Sequence, residues 1–353
     1  MRSYKFENGD VALWRDKAIV VSFAAARRVL STAPLGGGLR EDLICVFNQD
    51  CKLEGVEDTP LKAATYSGHM AVIADELGLD PALSCGLSTA ADMCNAAIVS
   101  NTYLDTSVTA IVTAGIDING SRVGDPALWH ESCGEFYPAS GTINILLFIN
   151  ASLTPDTLVR SLITCTEAKT AALQELLAPS LFSNGIATGS GTDGTAIICD
   201  PSSPVKLTCA GQHCKLGELV GRTTISAVKE ALFLQTGLCA ARQADIFSRM
   251  GRFGITESTV LGMCADAGKS RTRLLKIKNK SEHVVLASLY AHIMDQLQWG
   301  LISPQAALPA VNLLLGGMGA FEHIYSLPPA IDVAIHELAK VYSLALFELI
   351  CDG

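Results

Sequence analysis

Six short, nearly all-apolar, β-branched segments, all of them before residue 212, constrain this chain more than any other feature. They are KAIVVSFA (17–24), DLICVFN (42–48), SVTAIVTAG (107–115), GTINILLFIN (141–150), TAIICD (195–200) and VKLTCAG (205–211). Each is bounded by Gly, Pro, Asp or Asn, and none alternates polar with apolar residues. That is the pattern of strands buried on both faces, and such strands need helices laid over them. The sequence places helices at 59–78 behind Asp58, at 88–103 behind Leu87, at 155–178 opening with Thr154 and Pro155, and at 214–236 after the glycine of CAGQH. The resulting order, with strands and helices arriving in pairs, is not the strict alternation of a doubly wound fold. We therefore expect an α+β architecture, a mixed β-sheet layered with helices.

Strand signals stop near residue 225. From there ADIFSRMGRF, HVVLASLYAHIMDQLQWG, SPQAALPAVNLLLGG and PPAIDVAIHELAKVYSLALFELI follow one another with helical spacing. The expected division is thus an α+β domain over 1–224 and an all-helical C-terminal portion over 225–353. The apolar stripes of that tail suit core packing or a homo-oligomer interface. A length of 353 residues with 49% hydrophobic content is enough for one large domain or two.

Charge and cysteine usage narrow the partners. The formal charge is −9, and the one basic run, KSRTRLLKIKNK (269–280), reads as a solvated helix face, so no nucleic-acid partner is expected. No window reaches the ~18 uninterrupted apolar residues of a membrane span, and no signal-peptide pattern opens the chain, so we expect a cytoplasmic protein without membrane association. The twelve cysteines include no C-x-x-C pair, and most sit in apolar runs, where a thiol serves as a small hydrophobe in a reducing compartment. Seven histidines are dispersed without an H-x-x-x-H or H-E-x-x-H spacing, so no metal site is expected.

Five polar clusters interrupt the apolar pattern at strand ends: STAPLGGG (31–38), CGLSTAA (85–91), TAGIDINGSRVGDPALW (113–129), TEAKTAALQEL (166–176), and NGIATGSGTDGTA (184–196) followed by AGQHCKLGELVG (210–221). The glycine-rich loop 188–194 is suited to donating backbone N–H groups to a developing oxyanion, from Gly189, Gly191 and Gly194, with Thr192 and Asp193 beside them; it equally suits a plain strand entry. His213 is the candidate acid or base, next to Lys215 and Glu218 at a strand-to-helix junction. On the helix before it, Glu167 and Thr170 share a face while Lys169 points elsewhere; Glu167 could orient His213 or activate water, and Lys169 could stabilise negative charge. Thr192, Ser190 and Cys214 are candidate covalent nucleophiles, with water activated by His213 and Asp193 as the alternative.

The phrases TAPLGGG, GLSTAA, TAG with RVGDPA, GTINILL, TEAKTAALQEL, ATGSGTDGTA and GQHCKLGELVG, in this order over residues 15–225, resemble the adenosylcobinamide amidohydrolase family. The chain departs from that pattern at DING, which inserts Asp117 and neighbours between Thr113 and Arg122, and at GQHC, where Gln212 and Cys214 replace an expected Lys and Ser. The resemblance implies hydrolysis of the amide joining the aminopropanol arm to the corrin ring. The corrinoid is then a substrate and no standing cofactor is implied; the D-x-H-x-x-G stretch of a cobalt-ligating domain is absent. Corrinoids carry a rim of amide side chains, so Asn119, Arg122, Asp125 and Asn144 suit amide recognition, and Gly36, Gly37 and Gly38 a ligand-hugging turn. Each of these residues also suits a purely structural role, and the alternative function is a non-catalytic corrinoid binder.

Overall fold

The computed structural model describes residues 2–52, 61–127, 130, 141–264, 267–319 and 323–351. The chain divides into two compact units, Met1–Phe182 with Ile186–Cys239, and Ser183–Gly185 with Ala240–Gly353.

The first unit holds the strands. In chain order they are β1 (Ser3–Lys5), β2 (Val11–Arg15), β3 (Ala18–Ser22), β4 (Arg28–Ser31), β5 (Gly38–Arg40), β6 (Cys45–Asp50), β7 (Ser84–Thr89), β8 (Ala97–Tyr103), β9 (Thr106–Gly115), β10 (Thr142–Ile149), β11 (Ser152–Leu153), β12 (Gly194–Cys199) and β13 (Lys206–Leu207). Its helices are α1 (Tyr66–Glu76), α2 (Pro155–Glu175) and α3 (Lys215–Thr236). One sheet runs β1-β2-β3-β6-β7 and is antiparallel except where β6 meets β7. The other runs β5-β4-β12-β10-β9-β8 and is antiparallel except where β10 meets β12. Both sheets are mixed, and the class is α+β.

The layering explains the continuous hydrophobicity. Ile19, Val21, Val46 and Leu87 of the first sheet meet Ile111, Leu146, Phe148 and Ile198 of the second in one core between the sheets. The alternate residues Ala18, Val20 and Phe47 pack instead on Met70, Ile73 and Leu77 of the α1 side, while Ile145, Leu147 and Ile149 pack on Leu158, Cys165 and Leu173 of α2 and Val220 and Val228 of α3. The order is helix, sheet, sheet, helices, so central strands have apolar neighbours on both faces. Burial of the thiols follows: desolvation pushes Cys85 and Cys165 each up to about 11.

Helices α2 and α3 form where expected, α2 with Thr154 at its N-cap position and Pro155 at its first turn, and α3 closed by Gly237 in the left-handed conformation. The helix expected over 88–103 does not form. Strand β7 continues to Thr89, Asp92 caps a single 3-10 turn at Met93–Asn95, and Ala97–Tyr103 is β8, paired antiparallel with β9. Ile98, Val99, Thr102 and Tyr103 favour a pleated surface, and the β8–β9 hairpin turns at Leu104 with φ of 52°. The strand expected over 205–211 shrinks to β13, which pairs only with β11. The expected helix over 59–78 shortens to α1, which starts at Tyr66 behind the Thr65 cap; residues 61–65 are not helical, and positions 59 and 60 lie outside the described residues.

The second unit is helical: α4 (Ile246–Met250), α5 (Glu257–Leu261), α6 (Ala267–Ile277), α7 (Ser281–Gln298), α8 (Pro304–Gly317) and α9 (Ile331–Cys351). Met294, Leu297, Val311, Leu315, Leu338 and Leu346 form its core with Tyr290 and Tyr342, whose rings lie 4.8 Å apart. The Tyr290 hydroxyl donates to the Leu338 carbonyl at 2.9 Å. Arg252 and Asp295 form a buried bidentate pair, Nη2 to Oδ2 at 2.6 Å.

Candidate functional site

The loop that enters β12 is built around one carboxylate. Asp193 Oδ1 accepts the Ile143 N–H at 3.0 Å and the Ser190 hydroxyl at 2.6 Å; Oδ2 accepts the Ser190 N–H at 3.2 Å and the Lys169 ammonium. A carboxylate offers about four acceptor sites, so this one is saturated. Lys169 arrives from α2, in the buried row that also carries Cys165 and Leu173, and its stem is covered so that only the ammonium reaches the loop. The two side chains are 11% and 12% exposed. Removing both charges from water would be costly without this complete donor set.

Local geometry explains the glycines. A Cβ on Gly189 would stand 2.8 Å from Lys169 Nζ and would overlap the Asp193 carboxylate, so only glycine lets the pair close. Gly189 also fixes the loop to the segment after β9, donating to Ser121 O at 3.2 Å and accepting the Ser121 N–H at 2.9 Å. Its N–H is therefore committed to the fold. So is that of Gly194, which donates to Asn144 Oδ1 at 3.0 Å. Gly191, at φ 78°, is different: the nearest atom to its Cβ position is Ser121 Oγ at 3.6 Å, and its N–H meets no acceptor among the described residues. Exposed Thr192 stands beside it, its hydroxyl donating to Gly141 O at 2.9 Å and lying 3.2 Å from Ser190 Oγ. Asn119 donates to the same Gly141 carbonyl, and its own Oδ1 finds no donor among the described residues.

Asn144 is 1% exposed and holds the two sheets together at this end. Its amide donates to Asn48 Oδ1 at 2.8 Å and Ser88 O at 2.9 Å, and Asn48 donates to Thr113 Oγ1 at 2.8 Å. Every hydrogen-bonding atom of Asn144 is thus engaged inside the protein. Asn48 is a functional candidate that sequence reasoning misses: it follows the apolar residues 45–47 of β6 and precedes Gln49 and Asp50, so it looks like a strand end, and only its burial at 2% exposure sets it apart. Gly36, φ 65°, and Gly37 permit a close backbone approach, since a Cβ at 36 would press on Ser84 and Cys85 of β7 and one at 37 on the Ala33 carbonyl, while Gly38 opens β5 with free space around it. Asp125 accepts from the Arg122 backbone N–H at 2.9 Å and from Ser180 Oγ at 2.6 Å.

The remaining candidates gather elsewhere. Glu167, exposed on α2, accepts from Gln212 Nε2 at 2.7 Å. Lys215 pairs with Glu218 at 2.5 Å and lies 4.5 Å over the Tyr103 ring; the hydrogen bond from Lys215 holds the Glu218 carboxyl below its usual range. His213 is exposed at the head of α3. Glu167 and Lys169 are two positions apart on one helix, about 200° in projection, so they serve different surroundings. No hydrogen bond or ion pair among the described residues joins the Glu167–Gln212 group to the Lys169–Asp193 group. Nor do the described residues bring three His, Cys, Asp or Glu side chains together as a metal-binding group. No helix among them is long and apolar enough to cross a membrane.

The model of the family described as adenosylcobinamide amidohydrolase matches residues 4–240. The chain belongs to that family. The match ends where the first unit ends, and it spans every group just described. An uncharacterised protein of Methanocaldococcus jannaschii is 32% identical over 235 residues, 62% of this chain and 87% of the relative. An adenosylcobinamide amidohydrolase of Methanosarcina mazei is 30% identical over 160 residues, 43% of this chain and 68% of the relative. The family name indicates an amidohydrolase of corrinoid salvage.

Proposed function

We propose that this chain hydrolyses the amide between the aminopropanol arm and the corrin ring of adenosylcobinamide, giving adenosylcobyric acid and aminopropanol. Beyond family membership, one observation supports the reading: a saturated carboxylate holds the Lys169 ammonium against the loop at the mouth of β12, and the same loop carries a backbone donor, Gly191 N–H, with no acceptor among the described residues. Amide hydrolysis places negative charge on the carbonyl oxygen as the carbon becomes tetrahedral, and fixed donors that need no reorganisation lower that barrier most. One N–H of Lys169 goes to Asp193; among the described residues its other two have no acceptor. Lys169 and Gly191 are therefore the proposed oxyanion donors, and Asp193, whose lone pairs are all in use, holds the Lys169 side chain against the loop.

Thr192, exposed and with its hydroxyl on Gly141 O, is the proposed group to attack or to orient the attacking water. Water supplies its hydroxyl to the acyl carbon, the C–N bond breaks, and the departing nitrogen takes the proton. The test is incubation of the purified full chain with adenosylcobinamide, followed by mass spectrometry of the corrinoid. Loss of the aminopropanol mass with gain of a carboxylate is the expected result; a corrinoid that binds unaltered would make the loop a cradle and the protein a binder.

A further inference from the structure

We propose that Cys209 and Cys214 form a reversible thiol–disulfide modification site at the head of α3, oxidised by low-molecular-weight disulfides. The inference stands apart from the proposed hydrolysis and rests on the segment CAGQHC, residues 209–214. A turn closed by the Cys214 N–H on Gly211 O, at 3.1 Å, folds the segment back on itself. The Cys214 sulfur then lies 3.0 Å from Cys209 O and 3.1 Å from Gly211 O, which folds it over the Cys209 backbone.

The two sulfurs are not equivalent. Cys209 is exposed, so a reagent in solution reaches it. Its thiolate is favoured, first by the Gly211 backbone N–H, then by the Cys214 thiol and by the nearby Arg160 guanidinium, and its pKa falls below the usual thiol range. Cys214 is partly buried as the N-cap of the 22-residue α3, its sulfur accepting from the Gly217 N–H at 3.5 Å, and desolvation raises its pKa. The exposed sulfur and the partly buried sulfur are thus shifted in the opposite senses that suit an attacking and a resolving thiol. The other thiols compared, all among the described residues, differ. Cys45, Cys85, Cys165 and Cys199 are buried with raised pKa values, and the Cys264 and Cys351 sulfurs, though 3.6 Å apart, pack against the apolar core of the second unit.

The chemistry balances in two steps. The Cys209 thiolate attacks one sulfur of a disulfide R–S–S–R, forming a mixed disulfide and expelling one thiolate. Cys214 loses its proton and attacks the Cys209 sulfur, closing the protein disulfide and expelling the second thiolate. Two electrons pass from the protein thiols to the reagent, and a dithiol reductant reverses both steps.

The test treats the full chain with oxidised glutathione, blocks remaining thiols with iodoacetamide, and maps peptides without reduction. The expected product is a Cys209–Cys214 disulfide that dithiothreitol removes. Cys214→Ser is expected to retain a glutathionyl adduct on Cys209, and Cys209→Ser to form neither product. A second measurement needs no variant: in the untreated wild type, iodoacetamide at neutral pH is expected to label Cys209 roughly ten-fold faster or more than Cys45, Cys85, Cys165 or Cys199. Oxidation that maps first to Cys264 and Cys351, no adduct on Cys209 in a folded Cys214→Ser, or equal labelling rates would each overturn the proposal.

Discussion

Two carboxylates in the first unit, Asp10 and Asp193, each accept four hydrogen bonds and each hold a cation, yet they occupy opposite kinds of place. Asp10 accepts from Arg27 Nε and Nη2, both at 2.9 Å, from Ala24 N–H at 2.8 Å and from Asn8 Nδ2 at 3.1 Å. The pair is 0% and 1% exposed, and the remaining Arg27 nitrogen is taken by Ala26 O at 3.0 Å, with Asp200 3.5 Å away. Four of the five Arg27 N–H donors are thus matched inside the protein. Around Asp193 the carboxylate is equally satisfied, but its cation has three donors instead of five, keeps two of them unspent, and retains 11% exposure. Saturation of a carboxylate therefore does not distinguish a structural pair from a working one. The unspent donors of the cation, and a path for solvent to them, do.

The comparison can be broken by substitution. Asp10→Ala leaves the Arg27 charge buried without its main partner, and is expected to lower the free energy of unfolding by about 3–5 kcal/mol in urea titration. Lys169→Met should affect chemistry instead: turnover of adenosylcobinamide is expected to fall roughly 10²- to 10³-fold, as for a lost oxyanion donor. Its stability loss should stay below that of Asp10→Ala, since Asp193 keeps three donors from Ser190 and Ile143. An equal loss of stability with activity spared would make both pairs structural.

Gly189→Ala forces Lys169 and the loop apart, with an expected cost of about 1–3 kcal/mol in unfolding and a fall in activity parallel to that of Lys169→Met. His213→Ala sharpens the division between the two polar groups. Being exposed, it should leave stability within about 0.5 kcal/mol. Its activity loss in steady-state assays is expected to be smaller than that of Lys169→Met; an equal or larger loss would bring the head of α3 into the reaction.

Legibility of the fold tracked burial. Segments whose two faces are both covered, such as β3, β9, β10 and β12, announce themselves by unbroken hydrophobicity, and α2 and α3 by their caps and 3.6-residue stripes. Segments at sheet margins do not. VALWR of β2 and GLR of β5 carry mixed patterns that a turn or loop would share, and in β8 the polar residues Ser100, Asn101 and Thr102 break the apolar run that marks the other strands. The site was legible as a loop, and less so as a set of roles. Glycines 189, 191 and 194 look alike in sequence, and only the partners of their N–H groups separate Gly191 from the other two.

By itself, the sequence determined that a two-faced apolar sheet system precedes a helical tail, and that the polar residues collect in glycine-rich segments at strand ends. These are local facts, set by side-chain period and by where glycine permits the backbone to go. Only the tertiary structure decided which carboxylate meets which cation. Lys169 and Asp193 are separated by 24 residues, Asn144 and Asn48 by 96, and no periodicity spans such distances. A pairing of that kind exists because stacked sheets and a crossing helix bring the groups together, and its energy depends on the burial and donor count that the packing creates.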